Sequence, residues 1–356
     1  MSNLYTINNK LRRNFYLISF RKRFKSHHLL AHEALVRRLK PKYRYNENLQ
    51  ANYKSYRAGH LGETSVDYKL SLFPKKDFFH LPSLRLKNNF NHFQMDSIIL
   101  TPKLIFDLEI KNLKGTLEYN ATNRQLIQID GDKKTCYNDP LLQAEIQKRH
   151  LQQWLRKFGI KIPIVTLVVS TNPNSIIRNK ENDPLFNEHF IPLEYLIFRL
   201  EEIYDSYSEV ILSFQNLKKL YHLMMKHDTP LFSNLISYYN LNRNHFIQGI
   251  TCERCDFFPL KRNRGYWICP KCGQTDYDGH ERVILDYFLL HQPEITSRIC
   301  TNLLQTATHN TVYHLLTSMN LKRIGGKKNR KYLSPELSDF PQDAIPKIFN
   351  VSILDR

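Results

Sequence analysis

Asp96, Glu109 and Lys111 are the residues whose types and spacing are best suited to chemistry. Residues 104–111 read Leu-Ile-Phe-Asp-Leu-Glu-Ile-Lys, and side chains on a strand alternate between its two faces. Leu104, Phe106, Leu108 and Ile110 then share a core face, and Asp107, Glu109 and Lys111 share the opposite one. Asp96 opens the preceding strand-like run and falls beside Glu109 if the two strands pair as a hairpin. Two convergent carboxylates suit a hard cation such as Mg²⁺, which prefers carboxylate oxygen and water. Such a cation acidifies bound water and offsets charge developing on a phosphate. A lysine two residues along reaches the same space, to hold the attacking hydroxide or the scissile phosphate. On spacing alone, an exposed strand face with an ordinary Glu–Lys pair is the favoured account of the pattern. Asp107 has no assigned role and reads as a solvent-exposed strand-end carboxylate, and His92 reads as structural or exposed.

The wider pattern narrows that choice. Gly59-x-x-Gly62-Glu63, His92-Phe93-Gln94-Met95-Asp96, Leu108-Glu109-Ile110-Lys111-Asn112 and Asn138-Asp139-Pro140-Leu141-Leu142-Gln143 follow one another in order. Asp-x12-Glu-x-Lys resembles the PD-(D/E)xK nuclease pattern. The four segments together resemble the nuclease-related domain (NERD) family of that superfamily, over roughly residues 58–175. The resemblance implies a restriction-endonuclease-like αβββαβ core within an α/β fold class, and a metal-dependent nuclease. It implies that Asp96, Glu109 and the Ile110 carbonyl hold Mg²⁺ or Mn²⁺ and that Lys111 is catalytic. It also implies that Gln143 faces the site and that Glu63, on the first helix, contributes to a second cation or orients water. Two departures stand out: Met95 precedes the motif Asp where Pro is common, and Asp139 separates Asn138 from Pro140, which displaces Asn138.

A second chemical signature lies further on. Cys252, Cys255, Cys269 and Cys272 form C-x2-C-x13-C-x2-C, the spacing of two knuckles that place four thiolates on one tetrahedral Zn²⁺. With every ligand supplied by protein, the zinc is structural, in a zinc ribbon whose hairpin turns at Asn263 to Gly265. Ribbon surfaces either touch nucleic acid, here through Lys261, Arg262, Arg264 and Lys271, or serve as spacers. Cys136 and Cys300 stand alone. Paired cysteines without a secretory leader point to metal in a reducing compartment rather than to disulfides.

After the cysteines come three helical stripes: Val283, Tyr287 and Leu290; Ile295, Ile299 and Leu303; and Val312, Leu315, Leu316 and Met319 behind a Thr308 N-cap. Lys322-Arg-Ile-Gly-Gly-Lys-Lys-Asn-Arg-Lys331 follows, with six basic residues and no acidic one. Three helices and a basic hairpin resemble a winged helix, in which the third helix enters the major groove and the wing meets phosphate. Thr311, Tyr313, His314 and Thr317 would face the groove, and Lys327, Lys328, Arg330 and Lys331 the backbone. A helical domain for protein contacts is the alternative.

The elements that must position these residues follow from patterning. Phe93 to Leu100, Leu104 to Ile110, Leu117 to Tyr119, Leu126 to Ile129 and Ile162 to Val169 read as strands, and Pro140 to about Phe158 as a helix. The expected organisation is a basic helical extension (1–57), a NERD domain (58–192), a helical connector (193–248), a zinc ribbon (249–278), a winged-helix-like domain (279–335) and a tail (336–356). The 356 residues carry 52 Lys+Arg against 33 Asp+Glu, a net +19. Residues 1–57 contribute fourteen Lys/Arg and two Glu to that balance. A basic arm attracts polyanions, so nucleic acid, DNA first, is the expected partner, and a homodimer would let two sites cut both strands. No apolar run approaches the ~18 residues of a membrane helix, so a cytoplasmic location is expected. A non-catalytic DNA-binding platform and an RNA-directed nuclease remain the alternatives.

Overall fold

The computed structural model describes residues 21–74, 77–89, 91–305, 309–326 and 329–346. The chain is mixed α/β and divides into two compact units. Unit one comprises the residues up to Arg23 and Arg57–Pro230; unit two comprises Phe24–Tyr56 and the residues from Leu231 on. Two long helices precede the first strand, α1 (His27–Arg38) and α2 (Glu47–Leu70).

In unit one, α2 from Arg57 on leads into β1 (Phe79–Lys87), β2 (His92–Leu100) and β3 (Ile105–Lys111). There follow β4 (Gly115–Asn120), β5 (Gln125–Asp130), β6 (Lys133–Asn138), α3 (Pro140–Arg156), β7 (Ile164–Ser170) and β8 (Ser175–Asn179). The unit closes with α4 (Pro184–His189), β9 (Phe190–Pro192), α5 (Leu196–Ser206) and α6 (Phe214–Lys226). The main sheet has the order β1-β2-β3-β7-β9, antiparallel through β3 and parallel beyond it. A second sheet has the order β6-β5-β4-β8.

Helices cover both faces of the main sheet. Leu151, Trp154 and Leu155 of α3 and Leu217, Leu220 and Met224 of α6 pack on one core with Ile105. Val66 and Leu70 of α2 and Leu196, Leu200 and Ile203 of α5 pack on the other with Phe106, Leu108 and Ile110. β3 is thus a central strand buried on both sides, and this corrects the expectation for Asp107. It is fully buried, because the face it shares with Ile105 and Glu109 lies under α3 rather than in solvent.

The hairpin that carries Asp96 is distorted where Asp96 sits. Pro82 pairs with Ser97 and Leu84 with Met95, leaving Ser83 between them at φ +50°. Phe79, Leu81, Leu84 and Leu86 all enter one core, as do Phe93, Met95, Ile98 and Leu100. The period-two alternation therefore slips by one residue in both strands at this level. β2 and β3 pair up to Ser97↔Leu108, and the next step of that register sets Asp96 across from Glu109.

α2 runs straight through Gly59 and Gly62. A Cβ on Gly62 would lie 2.6 Å from Thr171 Oγ1 and 2.7 Å from Asn112 Cβ. Gly inside a helix costs up to about 1 kcal/mol; here it admits the strand end that carries Lys111. Asn112 Nδ2 donates to Ala58 O at 2.8 Å across the same approach.

In unit two, α1 is a core helix: Leu29, Leu30, Ala34 and Leu35 are buried with Val283, Ile284 and Tyr287 of α7 (Gly279–Leu290). This corrects the expectation of a basic extension over 1–57, since from Phe24 the described chain belongs to a packed unit. The expected connector over 193–248 is likewise absorbed: α5 and α6 cover the sheet of unit one, and Leu235 and Phe246 enter the core of unit two. Strands β10 (Lys261–Arg262), β11 (Trp267–Ile268) and β12 (Thr275–Asp276) form an antiparallel sheet. Beyond α7 come β13 (Glu294–Ile295), α8 (Ser297–Leu304), α9 (His309–Ser318), β14 (Arg323–Ile324) and β15 (Lys331–Leu333), with the sheet order β13-β15-β14. Thr308, Lys327, Lys328 and most of the basic N-terminal run, residues 1–20, lie outside the described residues.

Candidate functional site

Asp96, Glu109, Lys111 and Gln143 converge at one end of the main sheet. Glu109, 3% exposed, accepts from Lys111 Nζ through Oε1 at 2.6 Å and from Gln147 Nε2 through Oε2 at 3.0 Å. Lys111 Nζ also donates to Gln143 Oε1 at 3.0 Å. Gln143 and Gln147 project from one face of α3, as residues four apart on a helix do. Asp139 starts that helix: its Oδ1 accepts from Leu141 N at 2.9 Å and Tyr119 Oη donates to its other oxygen at 3.0 Å. The residue that separates Asn138 from Pro140 is therefore the N-cap that sets where Gln143 falls.

Asp96 turns its carboxylate toward β3, where Oδ2 accepts from Ile110 N at 2.9 Å. The side chain thereby satisfies a backbone donor just past the last paired residues. Glu63 sits on α2, and Arg23 Nη1 donates to its Oε2 at 2.6 Å. Arg23 also donates from Nε and Nη2 to the two oxygens of Asp67, at 2.8 and 2.9 Å.

Crowding these carboxylates in a dry place raises their affinity for protons. Burial pushes Glu109 up to about 7, nearby Asp96 adds to this, and the donors Lys111 and Gln147 oppose it. Burial also lifts Glu63 to about 7, with Arg23 pulling down and Asp96 and Asp67 pushing up. Asp96 is raised by burial against the Ile110 N–H. Asp107 is raised well above the carboxylate range by burial, then by Glu109 and Asp96, and neither of its oxygens has a hydrogen-bond partner among the described residues. Of this set, Arg23, Asp67, Ser83, Gln147 and the burial of Asp107 were not anticipated. Only Gln147 carried a sequence signal, its i+4 spacing from Gln143.

The cysteine quartet is gathered in unit two. Cys252 and Cys272 Sγ are 3.6 Å apart, and Cys255 and Cys269 Sγ 3.5 Å. Four thiolates about 2.3 Å from one tetrahedral zinc stand about 3.8 Å from one another, so the quartet fits such an ion. Among the described residues it is the one group of three or more His, Cys, Asp or Glu side chains whose ligand atoms lie within 4.8 Å of one another. Glu63, Asp96 and Glu109 are not drawn together that tightly. Cys136 is exposed and Cys300 buried.

On α9, Tyr313, His314 and Thr317 are exposed and Thr311 is half-buried. Arg330 lies over the Tyr313 ring, 5.6 Å from its centre, while Lys331 is paired with Glu294 at 2.6 Å. His92 is exposed.

Residues 58–171 match the family model of the nuclease-related domain, so this segment of the chain is similar to that domain. No curated protein and no solved structure matches the chain. Among the described residues, no helix is long and apolar enough to cross a membrane.

Proposed function

We propose that the protein is a metal-dependent nuclease that hydrolyses phosphodiester bonds of DNA. The observation that carries this reading is the Lys111 amine bridging Glu109 and Gln143 beside Asp96, inside the segment that matches the nuclease-related domain. The element order supports a restriction-endonuclease-like αβββαβ core. Hydrolysis adds water across one bond: the water oxygen bonds to phosphorus, the bond from phosphorus to one sugar oxygen breaks, and that oxygen takes up a proton.

The carboxylates suit a hard cation in chemistry and count. Mg²⁺ commonly keeps several waters and uses only one or two carboxylates, so two acids without a third close ligand are sufficient. Asp96 and Glu109, with the Ile110 carbonyl, would hold Mg²⁺ or Mn²⁺. When bound, the cation acidifies water and offsets charge on the phosphate. Lys111 positions the attacking water or holds the scissile phosphate, and Gln143 aims the Lys111 amine.

The cysteine quartet and its three-stranded sheet support a zinc ribbon whose metal is structural. Helices α7, α8 and α9 with the β13-β15-β14 sheet support a winged helix. In it Thr311, His314, Arg330 and Lys331 contact DNA, and the same role is proposed for Lys327 and Lys328, which lie outside the described residues. The domain limits at 58–192, 249–278 and 279–335 belong to the same reading.

One observation favours a second reading, a non-catalytic DNA-binding platform: Glu109 is already neutralised by Lys111, and Glu63 by Arg23. The deciding assay uses linear, circular and single-stranded DNA and RNA of matched sequence with Mg²⁺, Mn²⁺ or EDTA. Cleavage is expected with metal only, and Glu109→Ala and Lys111→Ala should each reduce it by about 100-fold or more. Metal-independent binding without cleavage would establish the platform, and preference for RNA would redirect the substrate.

A further inference from the structure

Arg23 precedes the family-matched segment by more than a helix, yet it forms the hub of the acidic cluster. An arginine has five N–H donors, and Arg23 makes five contacts in unit one. Nε and Nη2 reach Asp67, Nη1 reaches Glu63 at 2.6 Å and Ser83 Oγ at 2.7 Å, and Nη2 reaches the Asp96 carbonyl at 3.0 Å. Its side chain is 3% exposed. The guanidinium fills the slip between β1 and β2, where Ser83 holds its left-handed backbone.

We infer that Arg23 occupies the place of a second divalent cation, so that the site loads one cation rather than two, with Glu63 as the charge partner of Arg23. This rests on the proposed nuclease reading and refines it. Two-metal sites set their ions about 3.5–4 Å apart between shared carboxylates. Here the Glu63 oxygen and both Asp67 oxygens that face the hub are already taken by a planar, permanently charged group. A cation entering between Glu63 and Asp96 would take Glu63 from the buried Arg23, leave Asp67 alone to balance that guanidinium, and set a second positive charge beside it, which is disfavoured. Glu109 differs, because its partner Lys111 is a flexible amine, 22% exposed, that can swing away. The single cation therefore belongs to Asp96 and Glu109, and Arg23 is a positioning residue that supplies fixed positive charge.

The test counts Mn²⁺ bound to the full-length, zinc-saturated protein by electron paramagnetic resonance, with circular dichroism reporting folding. The wild type should bind one Mn²⁺, Glu109→Ala none, Arg23→Lys one, and Arg23→Gln two. If Arg23→Gln fails to fold, the double variant Arg23→Gln/Asp67→Asn removes one stranded charge, leaves Glu63 open and should also bind two. Two Mn²⁺ on the wild type, or still one on a folded variant without Arg23, would overturn the inference while sparing the nuclease reading. No Mn²⁺ on the wild type would overturn both.

Discussion

Glu109 illustrates how single residues here balance opposing demands. It is buried under α3 with a carboxylate neighbour, and two donors hold its oxygens. Its affinity for a proton lies above that of an ordinary glutamate, at about 7 against 4.5, and Glu63 shifts the same way. The unfolded chain therefore releases these protons first. Stability from the two acids is complete below about pH 4.5 and is lost as the pH rises toward 7. In EDTA, calorimetric Tm should fall across that window, and Glu109→Gln should flatten part of the fall; a Tm that rises across it would contradict the arrangement. The proximity of Asp96, Glu109, Lys111 and Gln143 was legible because residue type and period are local properties. Asp107 was misread because alternation assigns a side chain to a face but does not say what covers that face. Arg23 gave no signal, since within a basic run its partners Glu63, Asp67 and Ser83 are fixed only by tertiary packing.

At the scale of elements, the close pass of α2 over the end of β3 is a demanding contact. Gly62→Ala would place a methyl against Thr171 and Asn112, and overpacking of this kind costs roughly 1–3 kcal/mol. Denaturant melts should show that loss, together with reduced cleavage, because the shift moves the strand end that carries Lys111; an unchanged midpoint would mean that α2 can yield. The small β10-β11-β12 sheet poses the opposite problem, since two-residue strands supply little core of their own. Removing metal with a strong chelator, or Cys269→Ser, should expose Trp267, now fully buried, and shift its fluorescence to the red; restored zinc should reverse the chelator effect. Strands β2, β3, β4, β5 and β7 were readable as apolar runs. β1, β6 and β8 were not, because β1 is interrupted by Pro82 and Ser83 and the other two are mostly polar and lie in the second sheet.

For the whole molecule, net charge alone overstates what is free to meet a polyanion. Within the stretch read as a basic arm, Lys25 is paired with Glu33 and Arg37 with Asp286, and Arg38 donates to the carbonyls of Ile247 and Gly249. Those cations build the structure. The logarithm of DNA affinity should still fall linearly with the logarithm of salt concentration, an affinity loss of about 100-fold between 50 and 200 mM for roughly four neutralised phosphates. Fluorescence anisotropy at several salt concentrations checks this, and a flat dependence would remove phosphate contact as the basis of binding.

The chain visits its two units alternately, leaving the first after Arg23, returning at Arg57 and leaving again after Pro230. Neither unit is thus one uninterrupted stretch, and the nuclease-related segment is not a portable cassette. A graft of residues 58–171 into another scaffold would carry Glu63, Asp67 and Asp96 but omit the arginine that reconciles their charges. A recipient would have to offer a guanidinium or a second cation at that spot, so transfer of this module depends on positive charge that lies outside it.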